Sequence, residues 1–311
     1  MELSVLAGQA NGPLAERVAA TLVKGLGPVN IQRFPDGELS VCVLDTVRGR
    51  DVYLLQPTGP PVESHLLELL LLADACRRAG AARLTAVVPY FGYARQDRRA
   101  GGREAVGGRL VADLMAGGGL DRVVAVDLHT AALEGFFTMP LEHLTAMPLL
   151  LDMVRPDVPV DGVVVSPDLG AAKLAEGYGR ALDLPVAIVH KTRLSGEEVR
   201  VTRIVGDVRG RAPLIVDDMI STGGTIEAAI SALLAAGCRP PVVVVATHAL
   251  LVGSAIERLR ALPLRRLVVT DSLPLPATDL PLRVVGLAPL LAQAIERLHA
   301  ERSLADLLAH G

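Results

Sequence analysis

Half of the 311 residues are hydrophobic and 21% are charged, with a formal net charge of −3. That much apolar material fills one large core or two ordinary ones, and two domains are expected. A slightly acidic chain lacks the basic excess that neutralises nucleic-acid phosphates, and Cys42, Cys76 and Cys238 are too scattered for a CxxC zinc site or a disulfide framework; the expectation is reduced thiols in a cytoplasm and no nucleic-acid partner.

In chain order, MELSVLAGQANG opens like a strand and has no basic stretch ahead of an apolar core, so no signal peptide is expected. LLELLLLADA (66–75) is interrupted by Glu68 and is too short to cross a bilayer; it predicts a buried helix, and no membrane partner is expected. Short β-branched runs alternate with helical patterns: RLTAVVPY (83–90), DRVVAVDLH (121–129), DGVVVSPD (161–168), APLIVDD (212–218), PPVVVVATH (240–248) and RRLVVTD (265–271). Near-continuous apolar strands between helices indicate an α/β fold with mainly parallel sheets covered by helices. The proline-containing MVRPDVPVDG (153–162) separates two sets of such units, which predicts domains over 1–150 and 151–311; a surface loop is the other reading of that stretch.

Strand, loop and helix follow one another in LIVDDMISTGGTIEAA (214–229). Ile226, Ile230, Leu233 and Leu234 share a helical face, and Gly237 stands where the helix should stop. Residues Ser221, Thr222, Gly223, Gly224 and Thr225 fall at the helix N-terminus, where backbone N–H groups attract anions. The glycines permit positive φ and close approach, and the hydroxyls donate to phosphate oxygens. An ordinary capped turn is the plain alternative, and no GxxxxGK[ST] loop occurs. Asp217 and Asp218 repel phosphate but accept hydrogen bonds from a diol or hold a cation. A sugar phosphate satisfies both halves.

Further polar stretches stand at predicted strand ends. RFPDGELSV (33–41) offers Asp36 and Glu38 around Gly37, and PYFGYARQDRR (89–99) offers Arg95, Gln96 and Asp97. Asp127 and His129 end one strand and Asp168 another; His129 and Asp168 serve either as loop hydrogen-bonders or as Mg²⁺ ligands beside substrate phosphates. In IVHKTRLSGEEVRV (188–201), Lys191 and Arg193 are either exposed cations of a hairpin or neutralisers of charge in phosphoryl transfer.

In this order, FPDGE, PYFGYARQDRR, DLH with GFF, SPD, KTR, VDDMISTGGT and VVT span nearly the whole chain and resemble the ribose-phosphate pyrophosphokinase (PRPP synthase) family. The resemblance implies two phosphoribosyltransferase-like (Rossmann-like) domains, with the last helix packing back on the first. It implies Mg²⁺-dependent transfer of pyrophosphate from ATP to ribose 5-phosphate, giving PRPP and AMP, in a cytoplasmic homo-oligomer (hexamer, dimer or tetramer). By the same resemblance Phe34, Asp36, Gly37, Glu38, Arg95, Gln96 and Asp97 bind ATP, partly from a neighbouring subunit. Asp217, Asp218, Ser221, Thr222, Gly223, Gly224, Thr225 and Arg193 take ribose 5-phosphate; His129 and Asp168 take Mg²⁺; Lys191 and Arg193 are catalytic. A PRPP-consuming phosphoribosyltransferase is the enzymatic alternative, though it does not require FPDGE or ARQD, and a non-catalytic associated subunit is the other.

The chain departs from the family pattern in places. STGGT replaces the frequent DTAGT, removing a carboxylate near the phosphate while keeping the N–H groups. Gly101 and Gly102 stand where an Arg and a Ser are usual, and Gly80 replaces a frequent Ser; Arg48 and Arg78 remain. An allosteric anion site is weakened accordingly, and LSGEE after Arg193 lacks the usual basic character.

Overall fold

A computed structural model describes residues 1–99, 101–193 and 199–309, the side chains of 191–193 and 199–202 excepted. The chain divides into two compact units: 1–146 with 272–274 and 286–311, and 147–271 with 275–285.

The first unit begins with β1 (Leu3–Ala7) and α1 (Gly12–Thr21), whose first turn is capped by the Asn11 side chain accepting from Leu14 N–H. A hairpin follows, β2 (Val29–Arg33) and β3 (Leu39–Val43), then β4 (Asp51–Leu55) and α2 (Val62–Arg78). Next come β5 (Arg83–Val88), α3 (Gly107–Gly117), β6 (Arg122–Val126) and β7 (Leu141–Leu144). The strands form a parallel sheet in the order β1-β4-β5-β6-β7, while β2 and β3 pair only with each other. Val52, Leu54, Ala86, Val88, Val123 and Ala125 pack beneath Leu66, Leu69, Leu72, Ala73 and Cys76 of α2 and Val111 and Met115 of α3. α2 is the apolar run predicted as a buried helix. It is buried on one face only: the 3.6-residue period carries Leu66, Leu69 and Leu72 inward and leaves Leu67 exposed.

The second unit runs α4 (Met147–Val154), β8 (Gly162–Ser166), α5 (Ala172–Leu182), β9 (Val186–Arg193), β10 (Val199–Val205), β11 (Ala212–Ile220), α6 (Gly224–Ala235), β12 (Val242–Ala249), α7 (Ala255–Arg260), β13 (Leu264–Thr270) and β14 (Leu282–Val285). Its sheet has the order β10-β9-β8-β11-β12-β13-β14, parallel throughout except where β10 pairs antiparallel with β9. All eight residues of β12 are buried, as a central strand covered on both faces requires. Ile226, Ala229, Ile230 and Leu233 seat α6 on this sheet. The helix ends before Gly237, whose φ of +87° suits the left-handed residue after a helix.

Finally α8 (Ala288–His299) belongs to the first unit and buries its face on α1. Beyond it, Leu308 bridges antiparallel to Leu144 at the free edge of β7. Each of the six apolar runs named from the sequence forms a strand, and the α/β class with mainly parallel sheets holds. Among the described residues no helix is long and apolar enough to cross a membrane. The described cysteines are free, Cys76 and Cys238 buried and Cys42 exposed.

Candidate active site

Neighbouring parallel strands deliver their following loops to one edge of a sheet, and ligands of α/β proteins bind there. In the second unit β9, β8 and β11 are consecutive neighbours, so KTR, SPD and the STGGT loop leave the same edge. Lys191 and Arg193 close β9; their side chains lie outside the described residues.

β11 continues through both aspartates to Ile220, so the acidic pair belongs to the strand rather than to the loop. Asp217 Oδ1 accepts from Asp218 N–H at 3.0 Å. Burial raises the Asp217 carboxyl well above the ordinary range, and the charges of Asp218 and Asp168 raise it further. Asp168 Oδ1 accepts from the amides of Gly170 (2.9 Å) and Ala171 (3.4 Å), which fixes the carboxylate at the mouth of β8. Gly223 caps α6 with φ +78°. An added Cβ there would meet nothing closer than 3.6 Å, so the backbone conformation, not space, demands glycine. The connection after β12 pins the loop: Leu250 and Leu251 N–H donate to Ile220 O, and Val252 N–H to Ser221 O.

One cation at this loop was not foreseen. Arg258 of α7 lies against Gly224, where a Cβ would come within 2.9 Å of its Nη1, and its Nη1 is 3.6 Å from Glu227. No local pattern joins residues 224 and 258; α7 brings them together by packing beside α6.

In the first unit the β2–β3 turn is tight. Phe34 and Glu38 exchange backbone contact through Phe34 N–H to Glu38 O (2.8 Å), Gly37 has φ +97°, and Asp36 Oδ1 accepts from Glu38 N–H at 3.1 Å. Arg33 braces it by donating to Gly37 O (2.5 Å) and to Ser64 Oγ of α2 (3.3 Å). Phe34 is left 50% exposed, an apolar face open to a planar partner. At the end of β5, Tyr90 and Phe91 are core residues, and Phe91 meets Phe137 edge-on at 5.5 Å. Arg95 and Gln96 are exposed and Asp97 half-buried beyond them. At Gly107 a Cβ would lie 2.5 Å from Gln96 Oε1 and 2.8 Å from Tyr93 Cδ1, so a side chain there requires both neighbours to shift. His129 is exposed just after β6, the parallel neighbour of β5, so ARQD and DLH share an edge.

At Gly80, one of the departures from the family pattern, φ is +87° and the Arg48 guanidinium lies over the residue, 2.9 Å from where a Cβ would stand. Arg78 pairs with Asp74 at 2.7 Å.

Among the described residues no three His, Cys, Asp or Glu side chains form a ready metal cage. Burial and the charges of Asp218 and Asp168 disfavour an ionised Asp217, an imbalance that would be offset by a cation whose remaining ligands are phosphate oxygens and water. Such a partial donor set fits Mg²⁺.

The model of the N-terminal domain of ribose phosphate pyrophosphokinase matches residues 3–119, and that of the phosphoribosyl synthetase-associated domain matches 195–309. A ribose-phosphate pyrophosphokinase from Rhodopirellula baltica is 45% identical over 312 residues, covering 98% of this chain and 98% of its own. One from Gloeobacter violaceus is 43% identical over 308 residues, covering 98% of this chain and 92% of its own. The crystal structure of phosphoribosylpyrophosphate synthetase from Mycobacterium smegmatis matches with a TM-score of 0.91 at 39% identity, over 97% of this chain and 100% of that one. Alike in sequence from end to end and alike in fold, the chain belongs to the ribose-phosphate pyrophosphokinase family.

Proposed function

We propose that the chain transfers the β,γ-pyrophosphoryl group of ATP to the 1-hydroxyl of ribose 5-phosphate, giving PRPP and AMP. The observation that carries this is the β11–α6 connection, where carboxylates for a diol at the end of the strand are followed directly by an N–H cradle for phosphate at the start of the helix. The amides and hydroxyls of Ser221, Thr222, Gly223, Gly224 and Thr225 hold the 5-phosphate, Asp217 and Asp218 accept from the ribose hydroxyls, and Arg193 adds a cation. Phe34 stacks on adenine, with Asp36, Gly37, Glu38, Arg95, Gln96 and Asp97 binding the rest of the nucleotide. The sugar oxygen forms its bond to the β-phosphorus as the bond from that phosphorus to the AMP oxygen breaks, and the hydroxyl proton passes to water. Lys191 and Arg193 offset charge on the transferring oxygens, so positioning and electrostatics supply the catalysis.

Mg²⁺ is the cofactor this reading calls for, and His129 and Asp168 would each offer it a ligand. When bound it neutralises phosphate charge. The 1–150 segment carries the nucleotide elements and 151–311 the sugar-phosphate loop. The protein works as a homo-oligomer in the cytoplasm. Incubation with ATP, Mg²⁺ and ribose 5-phosphate tests the reaction: AMP released only when the sugar is present, together with PRPP, is the expected result. Consumption of PRPP with a nucleobase identifies a phosphoribosyltransferase instead, and inactivity with tight binding to an active synthase identifies an associated subunit.

A further inference from the structure

The turn that presents His129 is held under strain. Asp127 has φ +38°, a left-handed conformation that non-glycine residues rarely adopt, and it persists only where neighbours over-determine it. Three bonds from one segment do so. Asp127 N–H donates to Leu144 O (2.9 Å), Ala146 N–H donates to Asp127 Oδ2 (3.1 Å), and Leu128 N–H donates to Nε2 of His143 (2.8 Å).

The last of these fixes the imidazole. A backbone N–H can only donate, so Nε2 of His143 is the acceptor and carries no proton. The ring proton then sits on Nδ1, which donates to Glu134 Oε1 at 2.7 Å. His143 is buried in β7, and its own carbonyl accepts from Ala309 N–H (2.9 Å) while Thr145 N–H donates to Leu307 O (3.0 Å), so the C-terminal segment clamps the strand that carries it.

We propose that Glu134 and His143 are positioning residues for the reaction: the carboxylate fixes the tautomer of His143, and the bare Nε2 holds the Leu128 amide so that the adjoining His129 is presented in one orientation. Neither touches substrate. This rests on the assignment of His129 to the metal and nucleotide site made above. Orienting partners of this kind are commonly worth about 10–100-fold in metal affinity or activity.

The test uses the full-length protein. His143→Leu removes the acceptor at similar volume, and kcat should fall about 10–100-fold with a higher Mg²⁺ requirement and little change in the ribose 5-phosphate KM. Glu134→Leu should lose a similar share, and Glu134→Gln, whose amide oxygen still accepts from Nδ1–H, should recover most of it. In a His129→Ala background, His143→Leu should cost less than about 3-fold more, because the residue it positions is gone. ¹⁵N NMR of the imidazoles should show His143 protonated at Nδ1 alone, and exchange of the Leu128 amide should accelerate in both leucine variants. An impaired His129→Ala beside a normal His143→Leu and a normal Glu134→Leu overturns the proposal alone. A His129→Ala enzyme with full turnover overturns the assignment of His129 and the proposal with it. Additive losses in the double variant reduce His143 to a structural residue, as does a proton on its Nε2.

Discussion

Nδ1 of His299, the last residue of α8, donates to Asp51 Oδ2 at 2.7 Å, closing a hydrogen bond across 248 positions of chain. Asp51 has no solvent exposure and also takes Nε and Nη2 of Arg83, at 2.7 and 2.5 Å. Burial alone would push its carboxyl up; the hydrogen bonds and charges of Arg83 and His299 outweigh this and hold it below the ordinary carboxylate range. This cluster of charge ties the returning C-terminal helix to the starts of β4 and β5.

Removing the carboxylate should therefore destabilise the first unit. Asp51→Ala leaves Arg83 without its partner, and loss of one member of a buried ion pair costs about 3–5 kcal/mol; with the Arg83 side chain 22% exposed, the lower end is expected. The pH dependence follows from the depressed carboxyl. Its stabilisation is complete above the unfolded value of about 3.9 and is lost as pH falls through the lower folded value. Urea unfolding followed downward from neutral pH should show wild-type stability falling towards that of Asp51→Ala only below about pH 4. A constant gap between the two proteins over that range contradicts the assignment.

Gly223 should resist even the smallest substitution. Alanine fits the space, but at φ +78° a Cβ costs about 1–2 kcal/mol. Relaxation of that strain would turn the α6 N-terminus away from the phosphate. Gly223→Ala should raise the ribose 5-phosphate KM about 10-fold, with the ATP KM little changed, as steady-state kinetics can show.

Phe34→Ala should have the opposite selectivity. Base-on-aromatic stacking is worth about 1–3 kcal/mol by alanine substitution, so the ATP KM should rise about 5–150-fold while the ribose 5-phosphate KM holds. Because Phe34 is half exposed, thermal stability should be almost unchanged. A loss of sugar-phosphate affinity instead would remove adenine as its partner.

Lys191→Ala should act on turnover. A donor aimed at charge that develops during transfer contributes to kcat rather than to binding, and loss of one such donor costs about 10²–10³-fold. Pre-steady-state measurement of AMP release with saturating substrates tests this directly; near-normal turnover removes Lys191 from the catalytic role.

The sequence by itself determined most of the scaffold, because strand and helix periods are local properties. VVVVATH indicated a strand covered on both faces, and the spacing of Ile226, Ile230 and Leu233 with Gly237 beyond them marked the buried face and the end of α6. The STGGT loop was legible for the same reason: its glycines, hydroxyls and helix are contiguous. Leu67 shows the limit of composition, since an apolar run says nothing of which residues face outward until a partner surface is in place. Tertiary structure alone decided what distant residues do to one another. Arg258 beside Gly224, Asp168 acting on Asp217, His299 on Asp51, and His143 beneath Leu128 are all pairings across separate elements. Their distances depend on how helices and strands pack, and no pattern within either partner's own segment encodes them.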